Sequence, residues 1–130
     1  MKPQDQIGFI PQEEIDAALK DEGVSQYLTG NLKRPQALKA IPDDDVEAAI
    51  SETFAEPETG LKHFHPIVTE YQYVLEGSID VLEIASGVKH HFKKGDFFII
   101  YPHTEYQTTI APRSKILFFK YPGMNDKTLL

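Results

Sequence analysis

The chain has 130 residues, 20 acidic against 13 basic side chains, a formal net charge of −7 and no cysteine. That length suits one domain with one hydrophobic core, and the lack of cysteine excludes disulfides, thiolate chemistry and Cys-based zinc folds. The acidic balance argues against nucleic acid or an anionic membrane surface as partner, and no apolar run approaches the ~20 residues that cross a bilayer.

With 41% hydrophobic and 25% charged residues the composition is globular. Met1, Lys2, Pro3, Gln4, Asp5 and Gln6 lead into no apolar signal core, and the absence of cysteine fits the cytoplasm. Residues 7–10 read as a short extended piece closed by Pro11. Ile15, Ala18, Leu19 and Glu22 then recur at spacings of three and four, with Glu13 and Glu14 near the start and Gly23 as a stop. This predicts a short amphipathic helix over about 12–22. Residues 24–42, broken by Gly30, Pro35 and Pro42, read as an irregular arm with apolar anchors at Tyr27, Leu28, Leu32, Leu38 and Ile41. Residues 1–45 are therefore expected to form an N-terminal extension, and 46–130 the main domain. Alternation predicts a strand over 50–55; residues 46–49, after Asp43, Asp44 and Asp45, fit either helix or strand. Residues 57–60 are expected to turn.

From Leu61 the texture is all β. Strands are expected over 71–76, 79–84, 88–93, 97–101, 106–110 and 115–121, with turns at Gly77-Ser78, Ser86-Gly87 and Lys94-Gly95-Asp96. The unbroken apolar run 97–101 has the pattern of a strand buried on both faces. Residues 122–127 read as a turn-rich tail. The connections are too short for βαβ crossovers, so the expected fold is all-β: an antiparallel jelly-roll barrel, a double-stranded β-helix, with a helical and irregular N-terminal extension.

His63 and His65 stand one residue apart. On an extended segment both imidazoles point the same way and Phe64 the other. Two imidazoles on one strand face make half of a metal site, and Glu70 can bring a carboxylate from the next strand. His90 and His91, next to Lys89, Lys93 and Lys94, read as surface residues of a hairpin.

The spacing Gly60, His63, His65, Glu70, Gly77, followed by Gly95-Asp96, an apolar strand and Pro102, resembles the two motifs of the cupin superfamily, in the small single-domain (cupin 2 type) form. The resemblance covers roughly residues 46–121 and implies a jelly-roll barrel. In metal-binding cupins three histidines and a glutamate hold a divalent ion. Carried over, His63, His65 and Glu70 match, while Tyr106 stands where the third histidine is expected and His103 lies three residues earlier in the loop. Two histidines and a carboxylate suit iron, zinc, manganese or nickel, with Tyr106 or His103 as a further candidate ligand.

The resemblance implies a small-molecule ligand and supports three functions. One is a metal-binding cupin acting on a small polar metabolite, as a sugar-type isomerase or an oxygenase. Another is a metal-independent isomerase or epimerase in which His65 abstracts a proton and Tyr106 returns one. The last is a non-catalytic binding or sensory module. The resemblance also implies a homodimer, and the scattered anchors of residues 1–45 need a surface to bury against.

Overall fold

The computed structural model describes residues 7–130; the reading of Met1 to Gln6 lies outside the described residues. Residues 7–10 form no strand. Helix α1 (Gln12–Glu22) follows Pro11, with Glu13 and Glu14 in its first turn and Lys20 in its last, both favourable to the helix dipole. Gly23 ends it at φ 92°, its N–H bonding the carbonyl of Leu19 at 3.1 Å. The helix buries Ala18 and Leu19. No helix among the described residues is long and apolar enough to cross a membrane.

The remaining elements are strands: β1 (Ser25–Gly30), β2 (Ile41–Pro42), β3 (Glu47–Glu52), β4 (Glu58–Thr59), β5 (His63–Phe64), β6 (Thr69–Glu76), β7 (Ser78–Glu83), β8 (Lys89–Lys93), β9 (Phe97–Ile100), β10 (Tyr106–Ile110), β11 (Lys115–Tyr121) and β12 (Thr128–Leu129). One sheet runs β2-β1-β3-β11-β6-β9; the other runs β12-β5-β10-β7-β8, with β4 also on β10. All pairs are antiparallel except β1 with β2. The two sheets face each other around Val74, Ile79, Val81, Phe98, Ile100, Tyr106, Ile110 and Ile116. Phe92 and Phe98 stack across the seam with ring centroids 4.1 Å apart. The molecule is thus an all-β double-stranded β-helix with one short N-terminal helix.

Three expectations are corrected. The segment 24–42 is not irregular throughout: β1 pairs with β3, Gln26 opposite Ile50, and so joins the sheet. Its strand pattern was hidden because the buried position is a glutamine, whose carbonyl oxygen accepts from Leu38 N at 2.8 Å. Gln36 likewise clamps the N–H and C=O of Tyr27, at 2.8 Å each, and pins the following arm. Residues 58 and 59 of the expected turn form β4 against β10. The run 97–101 is buried on one face only: Phe98 and Ile100 face the core, whereas Phe97 is 58% and Tyr101 64% exposed. β9 is an edge strand whose outer face is left uncovered among the described residues. The open segment 46–49 is strand, because β3 sits between β1 and β11 and finds its backbone partners there.

Gly77 closes the tight β6–β7 turn at φ 70°, and a Cβ there would meet Ser114 Oγ at 2.0 Å and Ser114 Cα at 2.8 Å. Ser114 Oγ accepts from Ser78 N at 3.0 Å, so the turn and the start of β11 are locked together. Gly87 has nearly the same φ, 73°, with nothing within 4 Å of a Cβ. Gly87→Ala is expected to cost only the left-handed penalty, roughly 1–2 kcal/mol, whereas Gly77→Ala adds a backbone clash and should exceed ~4 kcal/mol or prevent folding. Urea unfolding of the two variants measures the difference.

Candidate metal centre

Strand β5 is short because Pro66 closes it, yet it is held on both sides: His63 pairs with Tyr106 of β10 and with Leu129 of β12. Side-chain alternation sends His63 and His65 to the interior, where they are 8% and 5% exposed. Glu70 enters from β6 in the opposite sheet, on the same inward row as Gln72 and Val74, and is 6% exposed. The ligand atoms of His63, His65 and Glu70 lie within 4.8 Å of one another. The His65 Nε2 to Glu70 Oε2 distance is 3.7 Å.

Each histidine has its outward-facing nitrogen committed. His63 Nδ1 lies 2.7 Å from the Leu61 carbonyl, so it carries the proton and leaves Nε2 as a lone-pair donor. His65 Nδ1 lies 2.6 Å from Asp126 Oδ1 and is fixed the same way. Burial pushes the pKa of His63 down. The Leu61 carbonyl opposes this, Lys127 and His65 add to it, and Glu70 again opposes; the net effect favours the neutral ring. Burial raises the Asp126 pKa, but hydrogen bonds from Val68 N, His65 and Ile67 N outweigh it and hold the carboxyl below its usual range. These are the features that prepare imidazoles for a cation: tautomers set by outer-shell partners and lone pairs converging on one point. The donor set of two nitrogens and a carboxylate fits a borderline divalent ion.

Tyr106 is 2% exposed and sits in the same cluster, its ring centroid 4.5 Å from that of His63. Its hydroxyl donates to Glu70 Oε2. Burial, then the Glu70 charge and this hydrogen bond, raise the phenol pKa far above its ordinary value. The phenol therefore stays protonated and acts as a donor to the carboxylate; a phenol must lose its proton to be a good ligand. His103 is exposed and takes a left-handed φ of 68°, its backbone N–H bonding the His65 carbonyl at 2.8 Å. The structure does not bring its ring into the cluster. His91 pairs with Asp80 on the exposed face of the β7–β8 hairpin, whereas His90, half-exposed, pairs with Glu83 and stacks beside Phe92 on the other face.

The cluster opens into a cavity of about 290 Å³ whose lining also includes Tyr27, Phe118 and Lys120 from the sheet of Glu70, and Lys127 from the segment that leads into β12 beside β5. Two residues in this region carry no prior expectation. Asp126 lies 61 positions from His65 in a segment read only as a turn, and nothing local marks it. Lys120 was legible: Ile116, Phe118 and Lys120 share one face of β11 by alternation, so a cation ends an otherwise apolar inward row.

No protein-family model matches the sequence, and no curated protein does. Solved structures do match. KdgF from a Halomonas species is 26% identical with a TM-score of 0.53, over 65% of this chain and 76% of that one. A Klebsiella pneumoniae protein with a double-stranded β-helix domain is 19% identical with a TM-score of 0.57, over 67% and 76%. The polyketide cyclase RemF from Streptomyces resistomycificus is 19% identical with a TM-score of 0.56, over 68% and 62%. Together with the two facing sheets, these likenesses show that the chain has the double-stranded β-helix fold of cupin proteins. Within that class its own signature is a buried His-His-Glu group with a tyrosine hydroxyl on the glutamate.

Asp126 supplies the test of how this centre is built. Its Oδ2 accepts from Ile67 N and Val68 N at 2.8 Å each while Oδ1 serves His65. Asn at 126 must face a donor with its NH₂ in either orientation. Asp126→Asn is expected to lose roughly 1–3 kcal/mol of stability by urea unfolding, and ¹⁵N spectra are expected to show His65 as a mixture of tautomers in place of a single one.

Proposed function

We propose that this protein is a metal-dependent cupin that acts on a small polar metabolite inside the barrel. The observation that carries the reading is the convergence of three buried donors whose other hydrogen-bonding atoms are already committed. His63 and His65 would hold the ion through Nε2, and Glu70 through its carboxylate. An ion held there would supply Lewis acidity toward an oxygen of the ligand. Tyr106 keeps Glu70 oriented by donating its single O–H to it, which leaves the hydroxyl oxygen as an acceptor beside the ligand. The barrel walls exclude bulk water and so strengthen every polar contact made there. The fold is compatible with small-molecule chemistry, since a polyketide cyclase shares it; the assignment here rests on this chain's own residues.

A second reading, a metal-independent isomerase or epimerase, is supported by the Asp126–His65 hydrogen bond. A buried carboxylate on Nδ1 leaves Nε2 as a proton acceptor, and Tyr106 is the neighbouring proton donor. Metal analysis separates the two. Protein purified without chelator is expected to carry one divalent ion per chain. His63→Ala and His65→Ala should abolish retention, and Tyr106→Phe should keep it. Protein that retains no iron, zinc, manganese or nickel after supplementation would overturn the first reading and leave the second.

We infer further that two copies pair through the outer face of the first sheet. Across β11, β6 and β9, Tyr73 (41% exposed), Phe97 (58%), Phe119 (41%) and Tyr121 (57%) point away from the core beside an unpaired edge. Such a face is a ready partner for its own two-fold copy, which would also cover the open edge. Light scattering during size exclusion should give a dimer mass, and Phe97→Glu should give a monomer with unchanged far-UV circular dichroism.

A further inference from the structure

The cavity is not electrically symmetrical. At its metal end the carboxylates are engaged: Glu70 by Tyr106, Asp126 by His65 and two backbone N–H groups. On the sheet that carries Glu70, Lys120 of β11 lines the same cavity, paired in register with Glu70 of β6 on one side and Glu47 of β3 on the other. Among the described residues neither carboxylate comes within 4.0 Å of its ammonium. The ammonium makes one hydrogen bond among the described residues, donated to Tyr27 Oη at 3.0 Å. An ammonium has three N–H donors, so two remain for a ligand. The stem and charge lie against the rings of Tyr27 and Phe118, with the nitrogen 5.5 and 5.9 Å from their centroids. Burial weakens its hold on the proton, but Tyr27, Glu70 and Glu47 outweigh this and raise its pKa, so it remains a cation. Lys127, exposed at the mouth, lines the same cavity.

We propose that Lys120, assisted by Lys127, is the docking point for the anionic group of the substrate, which makes the substrate a small oxygen-rich acid rather than a neutral molecule. The proposal rests on the metal-centre reading for the orientation of the ligand, because the anion at Lys120 leaves the ligand's remaining oxygens facing His63, His65 and Glu70. The cavity of about 290 Å³ lies at the small end of ligand sites and suits a monosaccharide-sized acid. A partly desolvated ammonium recognises carboxylate and phosphate alike, as a point charge with strong charge-assisted hydrogen bonds. Glu58 at the same lining disfavours a second anionic group on its side, so one charged end per ligand is expected.

Calorimetric titration of the full chain with glucose, glucuronate and glucose 6-phosphate tests this, using both metal-supplemented and EDTA-treated protein. One of the two acids is expected to bind at least about tenfold more tightly than glucose, the worth of one charge-assisted hydrogen bond. Which acid wins identifies the anionic group as carboxylate or phosphate. Lys120→Met, which keeps the stem on Tyr27 and Phe118, should remove that preference with metal stoichiometry unchanged. Lys127→Gln, at an exposed position with no packing to lose, should weaken the preferred acid severalfold without altering the thermal midpoint. Three results would each overturn the proposal: neither acid binding, glucose binding as well as the acids, or Lys120→Met leaving the preference within about twofold. An acid preference that persists in metal-free protein and vanishes in Lys120→Met would uphold Lys120 even if the metal centre failed. Bound metal without an acid preference would remove Lys120 alone.

Discussion

The register between β6 and β11 is the constraint on which the rest depends. These two strands are interior neighbours in the first sheet, and their pairing sets Lys120 against Glu70, Phe118 against Gln72 and Phe119 against Tyr71. Side chains alternate with a period of two, so a slip of β11 by one residue would turn Lys120 outward and bring Phe119 and Tyr121 in, while Glu70 stayed where it is. The slip is blocked where the strands begin. There a one-residue irregularity between Lys115 and Ile116 lies beside the contact of Gly77 with Ser114, and Ser114 Oγ holds the N–H of Ser78. A glycine far from the chemistry thus fixes which face of the sheet carries it.

Around that register the interior is divided by sheet. The second sheet contributes the two histidines and Tyr106; the first contributes Glu70, Lys120 and, through β1, Tyr27. Each sheet alone holds an incomplete set. A histidine pair without Glu70 would lack its carboxylate, and Glu70 without Tyr106 would lose the donor that orients it. Closing the two sheets against each other buries the apolar core and assembles the polar cluster in one step. Folding energy therefore also orders the groups that would otherwise have to be ordered by a ligand.

How much of this was legible depended on sequence distance. His63, His65 and Glu70 fall within one stretch, where strand alternation alone places two imidazoles on a face. The helix was equally local, with its periodicity, acidic first turn and terminal glycine all within a dozen residues. Asp126 could not be read, because what makes it part of the site is the path of the chain back to β5. β1 was missed for a different reason: its buried position is Gln26, and a polar residue gives no periodic signal even when its hydrogen bonds are made internally. The run that forms β9 misled in the opposite direction. Apolar residues on both faces suggested full burial, but the fold leaves one face open at an edge, and only tertiary structure distinguishes these cases.

The strap from Asp126 to His65 makes the state of one imidazole depend on the docking of a distant segment. The two residues lie 61 positions apart, and the stretch between β11 and β12 is held to β5 by only the Thr128–Phe64 and Leu129–His63 pairs. Fraying of this segment from β5 would free the His65 ring to rotate and exchange tautomers while the strand pairs of both sheets stay made. The barrel can thus be shut and its centre unset at the same time.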